Sequence, residues 1–234
     1  MAFPYYVNPE QMTQDKAEFA RKGIARGKSI VTLEYDVGIL LLAENPFKLS
    51  KIGEIYDRIA FAGVGKFSEF DRLRKMGIQW ADVEGYRFSR DDVRGKALAN
   101  LYSQAIGEEF NRSIKPFEVE IVVAEVGDPQ FAGHEANALY QVGFDGTIQD
   151  QTGFCVIGGS DDAMQGHMVA NFRPGLPLGD ALRLGRDALQ RAENGSPELA
   201  PESLEACLLE AESQRRGRKF RRLSADDVRD LLGA

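Results

Sequence analysis

Apolar and polar positions along the 234-residue chain fall into blocks of two different periods. The first block is helical. Met12, Phe19, Ala20 and Ile24 recur near one side, Asn8 suits the cap, Pro9 the first helical position, and Gln11 the position three after the cap. Arg21, Lys22 and Arg26 gather at the carboxyl end, where the helix dipole favours cations, and Gly23 and Gly27 offer stops. Strand-like runs follow at Ser29–Tyr35 and Ile39–Ala43, turning at Asp36-Val37-Gly38, then at Lys51–Ile55 and Arg58–Val64, turning at Tyr56-Asp57. A helix from Lys66 to Gly77, extending toward Gly85, points Phe67, Phe70 and Leu73 inward. A second is expected to start at a capping box, Ser89-x-x-Asp92, and carries Val93, Ala97, Leu98, Leu101, Tyr102, Ala105 and Ile106.

The pattern then repeats in kind. Phe117–Val126 reads as a strand, and Ala138–Phe144 with Thr147–Ile157 as a hairpin around Asp145-Gly146. Helices are expected over Ser160–Phe172 and Leu178–Ala192. Leu204–Ala211 and Lys219–Leu223 form a last strand pair, and Ser224-x-x-Asp227 caps a short final helix. Strands in groups, separated by paired helices, imply antiparallel sheets rather than the parallel sheet of strict alternation. Near-continuous apolar strands such as Ile39–Ala43 imply sheets buried on both faces. Two stacked antiparallel sheets with helices outside satisfy both, an α+β fold. Residues 128–137 and 193–202 read as loops, no internal repeat is visible, and one domain over 1–234 is expected.

Composition narrows the function. Twenty-nine basic against 36 acidic residues give a net charge of −7, which argues against nucleic-acid binding. No apolar run approaches the ~18 residues of a membrane span. Met1-Ala2-Phe3-Pro4-Tyr5-Tyr6 lacks the basic and apolar regions of a signal peptide. Two cysteines and two histidines cannot build the usual zinc sites, so no metal and no cofactor is expected; Cys155 and Cys207 lie in apolar strand-like runs and read as buried free thiols. Gly63-Val64-Gly65-Lys66 lacks the spacing of a phosphate loop. The basic run Arg215–Arg222 reads as a solvated hairpin arm, with a nucleic-acid patch as the alternative. His134 and His167 receive no role.

Several local sequences, taken together, resemble a family. They are Phe3-Pro4-Tyr5 through Pro9-Glu10-Gln11, Ala20-Arg21-Lys22-Gly23-Ile24-Ala25-Arg26, Ala43-Glu44-Asn45-Pro46, Tyr56-Asp57-Arg58, Ala62-Gly63-Val64-Gly65-Lys66-Phe67, Ile78-Gln79-Trp80-Ala81-Asp82, Leu139-Tyr140 with Asp145-Gly146, and Ile157-Gly158-Gly159. Over nearly the whole chain they resemble the α-type subunit of the proteasome core particle, in its bacterial, actinobacterial branch. The resemblance implies a four-layer αββα sandwich, the N-terminal-nucleophile-hydrolase fold. It implies a cytoplasmic heptameric ring of neighbouring α subunits, stacked on β subunits that do the proteolysis, and an AAA ATPase activator docking through its C-terminal tails.

The catalytic chemistry of that fold is missing from this sequence. The β-type relatives use an N-terminal threonine whose own amine takes the proton. Here the first strand begins near Lys28-Ser29 with no Gly-Thr-Thr pattern, and Thr32 lies inside it. No catalytic residue is assigned; the alternative is an autonomous hydrolase whose nucleophile is exposed by processing. By residue matching, Lys51 falls where the β type keeps its catalytic lysine. In α-type relatives a lysine here lines a pocket between subunits and binds the carboxylate of an activator tail, against the plainer reading of a surface lysine beside Lys48. Glu18 and Gly27 match other pocket positions; an exposed helical acid and a helix stop are the plainer readings. Phe3, Pro4, Tyr5 and Tyr6, in a gate segment of residues 1–8, are implied to plug an axial pore, and the helix over 9–22 to make ring contacts. A disordered terminus is the alternative for the former.

Overall fold

The computed structural model describes residues 8–128, 136–159, 161–192, 199–211 and 218–233. Chain order runs α1 (Pro9–Ile24), β1 (Ile30–Tyr35), β2 (Gly38–Glu44), β3 (Ile52–Tyr56), β4 (Ile59–Gly65), α2 (Phe67–Arg87) and α3 (Gly95–Arg112). It continues with β5 (Val119–Glu125), β6 (Ala138–Val142), β7 (Ile148–Gln151), β8 (Phe154–Ile157), α4 (Asp161–Asn171), α5 (Leu178–Ala192), β9 (Leu204–Glu210), β10 (Phe220–Arg222) and α6 (Ala225–Leu232). One sheet has the order β10-β9-β2-β1-β8 and the other β3-β4-β5-β6-β7, with every pairing antiparallel.

The alternation of side chains explains the layers. In β2, Ile39, Leu41 and Ala43 face the other sheet and meet a core that includes Ala60, Ala62, Val122 and Ala124. The intervening Leu40 and Leu42 face outward, under Ala181, Leu182, Ala188 and Leu189 of α5. On the second sheet Phe61, Ile121 and Val123 are covered by Phe70 and Leu73 of α2 and Leu98 and Tyr102 of α3. The expected αββα sandwich is therefore what forms, and β2 is buried along its whole length because both of its faces are covered.

Three local expectations are corrected. The Ser89 box does not start α3. It caps a single 3-10 turn at Arg90–Asp92, and α3 begins at Gly95, whose N–H donates to Glu125 Oε2 at 2.8 Å. A tertiary carboxylate replaces the local cap. Thr147–Ile157 is not one strand: β7 pairs with β6 and β8 with β1, so the chain changes sheets at Thr152-Gly153, where Gly153 has φ +79°. Third, helical period overstated burial. Phe67, Met12 and Phe19 are well exposed, whereas α1 buries Ala20, Gly23 and Ile24. Asn8 does cap α1, accepting from Glu10 N at 3.1 Å, but Gln11 turns instead to Asp15.

Candidate functional site: a cationic niche at the end of the sandwich

Lys51 immediately precedes β3, at the crossover from one sheet to the other. Its approach is a tight loop. Asn45 O accepts from Lys48 N and Asn45 Oδ1 from Leu49 N at 2.9 Å, with Lys48 at φ 54°. The loop is tied to the far strand β9 by the carboxylate of Glu205, which is only 6% exposed. That group accepts from Asn45 Nδ2 at 2.8 Å, Lys51 N at 3.0 Å, Ile52 N at 3.3 Å and Arg222 Nη1, while Arg222 Nη2 donates to Ile52 O at 2.7 Å. Four donors on one buried carboxylate satisfy its lone pairs and fix the Lys51 backbone.

The Lys51 side chain is half-buried. Its ammonium donates to Lys28 O at 3.0 Å and Glu44 O at 2.8 Å, so it joins the start of β1 to the end of β2. Beside it, Lys28 Nζ lies 3.2 Å from Glu44 Oε1. The Lys51 and Lys28 ammonium groups and the Glu44 carboxylate thus lie close together where β1 starts and β2 ends.

Gly27 stands next to this niche. A Cβ there would lie 2.8 Å from Gly65 N and 2.9 Å from Val64 Cγ2, so the glycine lets the end of α1 close onto β4. Glu18 is elsewhere on α1. Its exposed carboxylate pairs with Lys22 at 2.6 Å, and no hydrogen bond or ion pair among the described residues joins it to Lys51. The structure brings Lys51 and the Gly27-Lys28 pair together, and leaves Glu18 outside. Phe3, Pro4, Tyr5 and Tyr6, and His134, lie outside the described residues. Lys28, Glu44, Glu205 and Arg222 were not picked out by sequence reasoning. Their separations from Lys51 follow no motif, and only the folded sheets bring them together.

The α1 helix has a second notable surface. Met12, Lys16 and Phe19 line, with Ile114 and Pro116, a groove of about 750 Å³. Lys16 Nζ donates to Phe110 O at 3.0 Å, at the α3 end, and Lys115 Nζ lies 5.6 Å from the Phe19 ring centre. Ile114 is 96% exposed. This is an apolar strip edged by cations, on an otherwise acidic chain.

Thr32 is not placed to act as an N-terminal nucleophile. Thr32 is fully buried in mid-strand, paired with Leu41 and Cys155. Its amine is a peptide nitrogen and cannot take a proton. Burial, and then the charge of Arg191, push the His167 imidazole on α4 below its ordinary range, and its Nδ1 meets Asn171. Among the described residues no His/Cys/Asp/Glu group could hold a metal ion, and no helix is long and apolar enough to cross a membrane. The described part of the basic run is salt-bridged: Arg218 to Glu54, Lys219 to Asp128, Arg221 to Glu210 and Arg222 to Glu205.

Comparison with known proteins agrees with this geometry. The family described as "Proteasome subunit" matches residues 24–205. A protein of Streptosporangium roseum named "Proteasome subunit alpha" is 48% identical over 99% of this chain and 87% of its own length. One of the same name from Renibacterium salmoninarum is 48% identical over 99% and 96% respectively, and one from Acidimicrobium ferrooxidans 45% identical over 100% and 97%. The chain belongs to the proteasome subunit family, and within it to the non-catalytic α type.

Proposed function

We propose that this chain forms the α ring of a cytoplasmic proteasome core particle, seven copies around the axis, over β subunits that carry the threonine nucleophiles. The whole of 1–234 acts as one domain. Helix α1 makes ring contacts: its Met12 and Phe19, with Ile114, are large apolar groups at the surface of a single chain, as expected of a face that a second copy covers. Residues 1–8, with Phe3, Pro4, Tyr5 and Tyr6, gate the pore, since seven aromatic tails converging on one axis can pack on each other.

The activator, an AAA ATPase, docks its C-terminal tails at Lys51, beside Gly27; Glu18 faces the neighbouring subunit. The observation that carries this reading is the Lys51 niche, where a half-buried ammonium sits on two backbone carbonyls next to a Lys28–Glu44 pair. An ammonium in a partly enclosed cleft pairs well with a single chain-terminal carboxylate. Each tail binds weakly and several act together, so no single pocket has to be tight.

The test is Lys51→Ala in the assembled particle. Loss of one partner of a desolvated charge pair costs ~2–5 kcal/mol. Activator-stimulated protein degradation is expected to be lost while α and β subunits still assemble. Undiminished stimulation removes Lys51 from the account.

A further inference from the structure

Lys51 leads into a strand of one sheet but is held by the other. Strand β3 lies at the edge of its sheet. At Ile52 a pair of side chains takes both backbone groups, as a neighbouring strand would: Glu205 Oε1 accepts from Ile52 N at 3.3 Å, and Arg222 Nη2 donates to Ile52 O at 2.7 Å. The same carboxylate accepts from Lys51 N at 3.0 Å and from Asn45 Nδ2 at 2.8 Å, so it closes both ends of the loop that enters β3. Glu205 belongs to β9, paired with β2, and Arg222 to β10, paired with β9, all in the first sheet. The two carbonyls under the Lys51 ammonium, those of Lys28 and Glu44, lie just before β1 and at the end of β2, again on the first sheet. Backbone and side chain of Lys51 are thus both referenced to the same rigid body.

We infer that Glu205, Arg222 and Asn45 are positioning residues for carboxylate docking at Lys51, a role that rests on the docking reading above and deepens it. None of the three has to touch the ligand. A loop left to move must be ordered when a tail binds, and that cost is subtracted from the affinity. Here the ordering is done during folding. The Glu205 carboxylate is buried, where hydrogen bonds are stronger than in water, and it gathers the loop ends and the first residue of β3 onto one group. Arg222 supplies the charged donor that keeps this carboxylate satisfied, and it braces Ile52 from the other backbone group. Its side chain is 42% exposed, so it can be replaced by an apolar one without opening a core cavity.

The variants are Arg222→Met and Asn45→Ala, each alone and combined with Lys51→Ala, in the assembled particle. Hydrogen exchange reads the position: amides of the Lys51–Ile52 segment are expected to exchange faster in both, with those of β2 unchanged. Docking is read with the peptide acetyl-Gly-Ala-Ala, as the free acid and as its C-terminal amide, titrated by ligand-observed NMR. Wild type is expected to prefer the acid. Each variant is expected to weaken the acid about three- to tenfold and to leave the amide unmoved, whereas a general loss of structure would weaken both. Because they act through Lys51, neither variant adds to the loss caused by Lys51→Ala. Faster exchange with acid affinity unchanged, exchange that does not change, or a further loss on top of Lys51→Ala overturns this inference and leaves the docking reading standing. A wild type with no acid preference, or a Lys51→Ala particle that keeps it, overturns both.

Discussion

Cys207, Leu41, Thr32 and Cys155 lie opposite one another across four strands of the first sheet, in a single row that faces the core between the sheets. Burial is the main reason why both thiols resist ionisation: Cys207 is pushed up to about 12, and Cys155 is raised further with help from Glu120. Such thiols are poor nucleophiles, because only the thiolate reacts. The consequence for stability has a definite sign. Below pH 9, the ordinary value for a thiol, folded and unfolded chains both keep these protons. Above it the unfolded chain sheds them and the folded one does not, so stability falls as pH rises from about 9 toward 12, by on the order of 1 kcal/mol per pH unit for each thiol. Thermal midpoints measured upward from pH 8 should decline across that window. Alkylation at pH 8 should be slow in the native protein and fast in denaturant; rapid modification of native protein would show the row to be open.

At the scale of elements, tertiary groups finish what local sequence leaves undone. Glu125 at the end of β5 accepts the first N–H of α3, and Gly95 permits the approach, since a Cβ there would stand 3.0 Å from the carboxylate. Glu125→Ala is expected to lower the thermal midpoint of the chain by about 2–6 °C, from a loss of ~1–2 kcal/mol. Glu125→Gln, which keeps an acceptor, should recover much of it. Equal midpoints for Glu125→Ala and wild type would mean that α3 is capped by other means.

The same contrast explains what could be read in advance. The hairpins β1–β2 and β3–β4, the helices α1 and α5 and the capped α6 were legible because turn residues and periodicity are local; the Ser224–Asp227 box forms as written. The Ser89 box failed because a nearby one-turn helix used it, and the β7–β8 break was hidden because both strands are short and continue one polar-apolar run. Lys51 was found by matching it to a family, not from its spacing. Its partners at 28, 44 and 205, and Arg222 that braces Glu205 and Ile52, come from three strands and a loop, and nothing short of the folded sheets assembles them.

The whole molecule keeps a hydrolase architecture with a different use of its ends. Where a catalytic relative needs a free amine at its first strand, this chain places a helix, and next to the end of that helix the Lys51 ammonium and the Lys28–Glu44 pair. The proposed gate, residues 1–8, belongs to this scale, because so short a segment closes a pore only when copies meet. Deleting residues 2–7 is expected to raise hydrolysis of small peptides by the assembled core; an unchanged rate would assign closure to another segment. The central claim, that the chain is a capping ring subunit, is tested most directly by native mass and chain composition of the particle purified from its own cells. The account predicts a complex of several hundred kilodaltons holding this chain, with its first helix intact, and an equal number of a second chain that begins with threonine. A lone small species, or a chain trimmed to the start of β1, would contradict it.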